Sequence, residues 1–299
     1  MIHAATLKRL KTAVPLLLKW YATNQRSFIW RGIERTPYQV LISEFMLQQT
    51  GARYVEKRLP EFLAKFPTVK KLAAAQRADV LRAWQGLGYN RRALNLHNAA
   101  KAIDAVGSFP ETLEALLALP GIGRYTASAV LAFAHNADVP VVDVNIERVL
   151  SRWWKGNEKI PIRNLYELDA AILPKGRSSE WHQAVMDLGS TICTKRNPKC
   201  EVCPENKVCR TAFKVKENAS TKSKEKEYWS QARRVWRGRI LKIVTNAEPI
   251  SRKKIILVLQ NQYSISDTAF LGFVASVIGV LEQEGFMLKK KGVYLLAHG

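Results

Sequence analysis

Two carboxylates stand in unlike settings along this chain. Glu44 lies in the middle of "LISEFMLQQT", a helical pattern in which most other residues are apolar. Burial there disfavours the charged carboxylate and keeps a proton on it near neutral pH. The same position also suits an exposed helix residue or a member of a buried ion pair. Asp143 comes just before "NIERVL", where an aspartate caps a helix N-terminus. Upstream, "LPGIGRYTA" sets Gly121 and Gly123 around one isoleucine where a helix begins. Glycine permits the tight turn and a close backbone approach. The unpaired amides of the helix start suit one phosphate, and Arg124 adds charge. An ordinary turn between two helices has the same pattern.

All four cysteines of the chain fall close together: Cys193, Cys200, Cys203 and Cys209, spaced C-x6-C-x2-C-x5-C. In a reducing compartment clustered thiols read as metal ligands rather than disulfides. The spacing lacks the two C-x2-C knuckles of a zinc ribbon, yet four thiolates suit zinc or a [4Fe–4S] cube. Spacing alone leaves both open.

The chain of 299 residues carries 47 Lys and Arg against 25 Asp and Glu, a net charge of +22. Such an excess predicts a polyanionic partner, because each neutralised phosphate releases counterions. No apolar run approaches the roughly 20 residues of a membrane span, and no signal-peptide pattern opens the chain. The expectation is a cytoplasmic, nucleoid-associated protein with no membrane partner.

The elements that must position these residues are mainly α. Residues 7 to about 212 carry apolar residues at helical spacing, as in "ADVLRAWQGLGYNRRALNLHNAAKAI", with Pro and Gly at the ends. Residues 214–228 are polar and aperiodic, which marks a linker. Beyond it come three helical stretches, with Ser251 and Ser266 as N-cap candidates for the latter two. "FMLKKKGVYLLA" then alternates around Lys291-Gly292, a hairpin signal. Three helices and a hairpin outline a small α+β winged helix over residues 229–299.

The glycine hairpin, the downstream Asp143 and the cysteine spacing resemble the helix-hairpin-helix (HhH-GPD) DNA glycosylases of the endonuclease III superfamily. "IWRG", "SEFMLQQT", "GLGYNRRALNLH", "LPGIGRYTA", "DVNIERVLSR" and "HQAVMDLGSTIC" follow in order and look most like the MutY-type adenine glycosylases. The resemblance covers about two-thirds of the chain. It implies a two-lobed helical glycosylase domain over residues 1–213, with one [4Fe–4S] cluster in the loop 193–209. The partner it implies is double-stranded DNA with a mismatched or damaged base pair, bound by a monomer.

A glycosylase flips its target nucleotide and breaks the C1′–N bond through an oxocarbenium-like state. The resemblance implies that Glu44 protonates N7 of adenine, that Asp143 faces C1′, and that Asn145 orients Asp143. Bifunctional relatives carry a Lys where this chain has Tyr125; a phenol forms no Schiff base, so a monofunctional enzyme is expected. Arg31, Gln183 and Asp187 match base-contacting positions. Gln49 and Tyr89 match the wedge that fills the stack, and Gly121, Gly123 and Arg124 the phosphate-binding hairpin. The cluster loop offers Lys195, Arg196, Lys199, Lys207 and Arg210 to phosphates.

Three departures stand beside the resemblance: a winged-helix-like segment replaces the usual Nudix-like domain, Val144 stands between Asp143 and Asn145, and Asn90 follows Tyr89. In the new segment, Arg233, Arg234, Arg237 and Arg239 on one helix and Lys289–Lys291 at the wing are expected to grip duplex backbone or to form a docking face. Removal of adenine opposite guanine or 8-oxoguanine is the leading expectation. A thymine or uracil glycosylase acting on G·T or G·U mismatches, and a non-catalytic iron–sulfur DNA-binding regulator, are the alternatives.

Overall fold

A computed structural model describes residues 2–31, 35–156, 158, 160–215 and 233–297. Most of the expected linker, residues 216–228, lies outside the described residues, as do Gly32 and the start of the first C-terminal helical stretch.

The helices run in chain order as α1 (Ala4–Lys11), α2 (Ala13–Asn24), α3 (Pro37–Leu47), α4 (Ala52–Lys65), α5 (Val69–Ala73) and α6 (Arg77–Ala83). Then follow α7 (Arg91–Val106), α8 (Leu113–Leu117), α9 (Arg124–His135), α10 (Val144–Trp154), α11 (Ile162–Ile172) and α12 (Ser178–Thr191). The C-terminal part adds α13 (Arg233–Ala247), β1 (Ile250–Ser251), α14 (Arg252–Tyr263), α15 (Thr268–Gln283), β2 (Met287–Lys290) and β3 (Val293–Leu296). The chain forms two compact units, Met1–Glu44 with Ser108–Ser220, and Phe45–Gly107 with Thr221–Gly299.

The first unit owes its cohesion to amphipathic helices around one apolar core. α10 buries Ile146, Val149, Leu150 and Trp153 against Trp181, Val185 and Leu188 of α12, and α1 and α2 add Leu10 and Leu17. Full burial of a side chain of this size is worth about 1.5–3 kcal/mol. Side-chain caps set helix starts in this unit: Thr112 accepts from the Ala115 amide before α8, and Asp143 from two amides before α10. His182 is fully buried, hydrogen-bonded to Asp169 at 2.7 Å and to the Ser178 carbonyl, and belongs to this core.

In the second unit α7 packs on α5 and α6. α13, α15 and β3 enclose a separate core of Trp236, Ile240, Phe270, Val274, Val277 and Tyr294, in which Trp236 meets the Phe270 ring edge-on at 5.1 Å. The hairpin turns at Lys291 and Gly292, both at positive φ (48° and 81°), and β3 also pairs antiparallel with β1, giving the order β1-β3-β2. The Lys-Gly pair carries the hairpin as its sequence implied, whereas the short strand β1 was not anticipated. Ser251 caps α14 as expected. At α15 the cap is Asp267 rather than Ser266: its carboxylate accepts from the Ala269 amide at 2.8 Å. Arg82–Glu248 and Arg91–Glu284 ion pairs tie α6 and α7 to this C-terminal part.

Candidate active site

In the first unit α3 carries Glu44 between Ser43 and Phe45, all three buried. The Glu44 carboxylate accepts a hydrogen bond from the Tyr125 hydroxyl at 2.8 Å. Burial pushes its pKa up to about 7; the Tyr125 hydrogen bond opposes that rise, and the charge of Asp143 adds to it. Tyr125 is pushed well above the ordinary phenol range, first by burial and then by Glu44 and Asp143, so it stays a neutral donor.

Asp143 serves as the cap that its position implied. Oδ1 accepts from the amides of Asn145 (2.9 Å) and Ile146 (2.7 Å), and Oδ2 from the Asn145 side-chain amide (2.8 Å). Three donors thus fix the carboxylate in one orientation. Asn145 in turn accepts from Arg148 at 2.9 Å, and Arg148 donates to the Cys193 carbonyl at 2.8 Å.

The hairpin joins α8 to α9. Gly121 adopts φ +74°, open to glycine at no steric penalty, and Gly123 is the N-cap of α9 with no side-chain capping bond. A Cβ at Gly123 would meet nothing within 4 Å. The N-cap of α9 thus brings no side chain of its own over the helix start, which suits an anion site. Arg124 lies over the Tyr166 ring at 4.2 Å, its guanidinium stacked rather than ion-paired.

Among the base-contact candidates, Asp187 is fully buried. Oδ1 accepts from Arg26 Nε (2.7 Å) and Arg31 Nη2 (3.0 Å); Oδ2 accepts from the Arg26 amide (2.9 Å) and Arg31 Nη1 (2.7 Å). A carboxylate offers about four acceptor positions, and here all four are occupied. Asp187 therefore fixes Arg31 and has no acceptor position left for a base. Arg26 was missed by the sequence reading. Gln183 accepts from Tyr21 at 3.0 Å and donates to Ser179 at 3.0 Å, which leaves one amide hydrogen and one lone pair.

In the second unit Gln49 and Tyr89 are exposed and both adopt positive φ, +58° and +46°. Non-glycine residues rarely take this conformation, so the two turns hold their tips in a strained backbone.

Cys193, Cys200, Cys203 and Cys209 line one pocket together with Arg152, and all four are free thiols. Among the described residues no three or more His, Cys, Asp or Glu side chains form a single-ion site. Four soft sulfur donors around a shared pocket match the donor set of an iron–sulfur cube. Arg152 donates to the Cys193 sulfur at 3.1 Å.

On the C-terminal helix three of the four arginines also make contacts within the protein. Arg237 makes a two-point pair with Glu284 (2.8 and 2.7 Å), Arg239 lies over the rings of Trp236 and Tyr263, and Arg233 donates to Ser276. Arg233 and Arg237 thereby link α13 to Ser276 of α15 and to Glu284 just after it. Arg234 is exposed.

The HhH-GPD superfamily of base excision DNA repair proteins matches residues 42–169. The adenine DNA glycosylase of Mycobacterium tuberculosis is 36% identical over 284 residues, covering 92% of this chain and 93% of its own. That of Homo sapiens is 34% identical over 215 residues, 67% of this chain and 39% of its own. Among solved structures, a thermostable thymine-DNA glycosylase matches with a TM-score of 0.65 at 32% identity, over 69% of this chain and 97% of that one. A trapped endonuclease III–DNA covalent intermediate shares the fold, with a TM-score of 0.61 at 22% identity over 71% of this chain and 98% of that one. From its hairpin, its paired carboxylates and these relatives together, the chain belongs to the HhH-GPD superfamily of base excision DNA repair proteins, in the family of the adenine DNA glycosylases.

Proposed function

We propose that the protein removes adenine mispaired with guanine or 8-oxoguanine, by hydrolysis of the N-glycosidic bond and without cutting the strand. The observation that carries this reading is Glu44: a buried carboxylic acid with a pKa near 7, bonded to a phenol and within the field of Asp143. A purine has an N7 that accepts a proton, and a pyrimidine has none.

Glu44 gives its proton to N7 of the flipped adenine. The C1′–N9 bond then breaks, its electron pair leaving with the base. The Asp143 carboxylate, fixed by three N–H donors, stabilises the cationic sugar carbon. Water adds to C1′, and the proton it releases restores Glu44. Tyr125 cannot form an imine with C1′, which supports a monofunctional enzyme. Arg31, held by Asp187, and Gln183 contact the base; Gln49 and Tyr89 enter the stack; the Gly121–Gly123 hairpin binds a phosphate.

A [4Fe–4S] cluster bound by Cys193, Cys200, Cys203 and Cys209 would pin the loop that carries Lys195, Arg196, Lys199, Lys207 and Arg210. Residues 1–213 form the glycosylase domain and 229–299 a winged-helix module for duplex binding or docking. The enzyme works as a monomer on nucleoid DNA in the cytoplasm.

The similarity to a thymine-DNA glycosylase keeps one second reading, removal of thymine or uracil opposite guanine. Single-turnover base release separates the two, on duplexes holding A·8-oxoguanine, A·G, T·G, U·G and hypoxanthine pairs. Adenine release with strand breaks only after alkali is the expected result. Thymine or uracil release in its place overturns the adenine reading, and breaks without alkali overturn the monofunctional one.

A further inference from the structure

Gln49 and Tyr89 sit on separate turns, one after α3 and one before α7, and a single side chain joins them. Arg92, the second residue of α7, is 7% exposed. Its Nη1 donates to the carbonyls of Phe45 (2.7 Å), Met46 (3.0 Å) and Gln48. Its Nη2 donates to the carbonyls of Leu87 (2.8 Å) and Gly88 (3.1 Å) and to the Thr50 hydroxyl (3.0 Å). The acceptors flank Gln49 on one turn and precede Tyr89 on the other. The guanidinium also lies over the Tyr89 ring at 5.6 Å and the Trp84 ring at 5.3 Å.

The carbonyls at the end of a helix have no partner within it, and a buried one needs a donor from elsewhere. One guanidinium meets that need for both turns at once. Its planar fork fixes the two turns relative to each other, which a point-charge ammonium would do only in part. Both turns also hold a residue at positive φ, a conformation that persists only where the surroundings enforce it.

We propose that Arg92 is the positioning residue of the wedge: it locks the turns of Gln49 and Tyr89 into one rigid edge, and so governs extrusion of the target base rather than cleavage of its bond. This rests on the glycosylase reading above.

The test uses 2-aminopurine in the adenine position opposite guanine, whose fluorescence rises when it leaves the stack, alongside single-turnover adenine release from an A·G duplex. Arg92→Met should still bind duplex, lose the fluorescence rise and slow release about a hundredfold, the scale of a small misplacement of working groups. The break near pH 7 in its rate profile should stay where it is in the wild type, because Glu44 is untouched. Arg92→Lys should recover part of both signals, and Thr50→Ala should lose a smaller share of both.

A full fluorescence rise in Arg92→Met, or a displaced pH break, overturns the proposal. If Arg92→Met fails to fold by circular dichroism, a full rise in Arg92→Lys overturns it equally. A wild-type protein that raises fluorescence but frees no adenine sinks the adenine reading while the Arg92 comparison stands. One that raises none removes the extrusion role.

Discussion

Glu44 ties activity and stability to pH in the same direction, because both depend on the proton it holds. As a general acid it must be protonated, so adenine release should be flat below about pH 7 and fall about tenfold per unit above it. Glu44→Gln should abolish most of the rate and erase that break. Stability runs on the same proton. The folded pKa, about 7, lies above the ordinary 4.5, so the stability present below pH 4.5 is lost as pH rises through 7. Glu44→Gln should therefore unfold at the wild-type temperature at pH 4 and be more stable by about 3 kcal/mol at pH 8, read by thermal melts. An equal difference at both pH values would contradict burial as the cause. The apolar run around Glu44 was enough to imply the raised pKa, and the residues before α10 were enough to imply the cap at Asp143. The saturation of Asp187 was not, because Arg26 and Asp187 meet only through the fold, across 161 positions of sequence.

At the scale of elements, legibility varied with how local their causes are. The α8–α9 hairpin is local: glycine, proline and the following helix define it. Gly123 has ordinary φ and free space for a Cβ, so Gly123→Ala should leave the melting temperature unchanged. It should still weaken binding to an abasic-site duplex about tenfold, because a methyl stands between the α9 amides and the phosphate. Unchanged affinity would remove the hairpin from the interface. The β2–β3 turn was equally legible in Lys291-Gly292. The packing of α13 was not: of the four arginines along this helix, three also meet Glu284, Ser276 and the Trp236 and Tyr263 rings through tertiary contacts. α4 runs from Ala52 through Pro60 to Lys65, a helix that a proline alone would have ended.

The net charge of +22 governs the behaviour of the whole molecule. Binding to an undamaged duplex should weaken at least about tenfold between 50 and 200 mM salt, as counterion release requires, measured by fluorescence anisotropy. A flat salt response would mean that the basic surface serves another partner. Composition made this partner legible. The division into two units, each built from two separated stretches of chain, was not, because non-local packing assembles them. In the proposed mechanism a proton delivered to a purine N7 drives departure of the base. Its most direct test is single-turnover release from G-paired duplexes holding adenine or 7-deazaadenine, which lacks that nitrogen, with wild type and Asp143→Asn. Wild type should free adenine from the first duplex and no base from the second, and Asp143→Asn should free none from either. Equal release from both duplexes would contradict this mechanism.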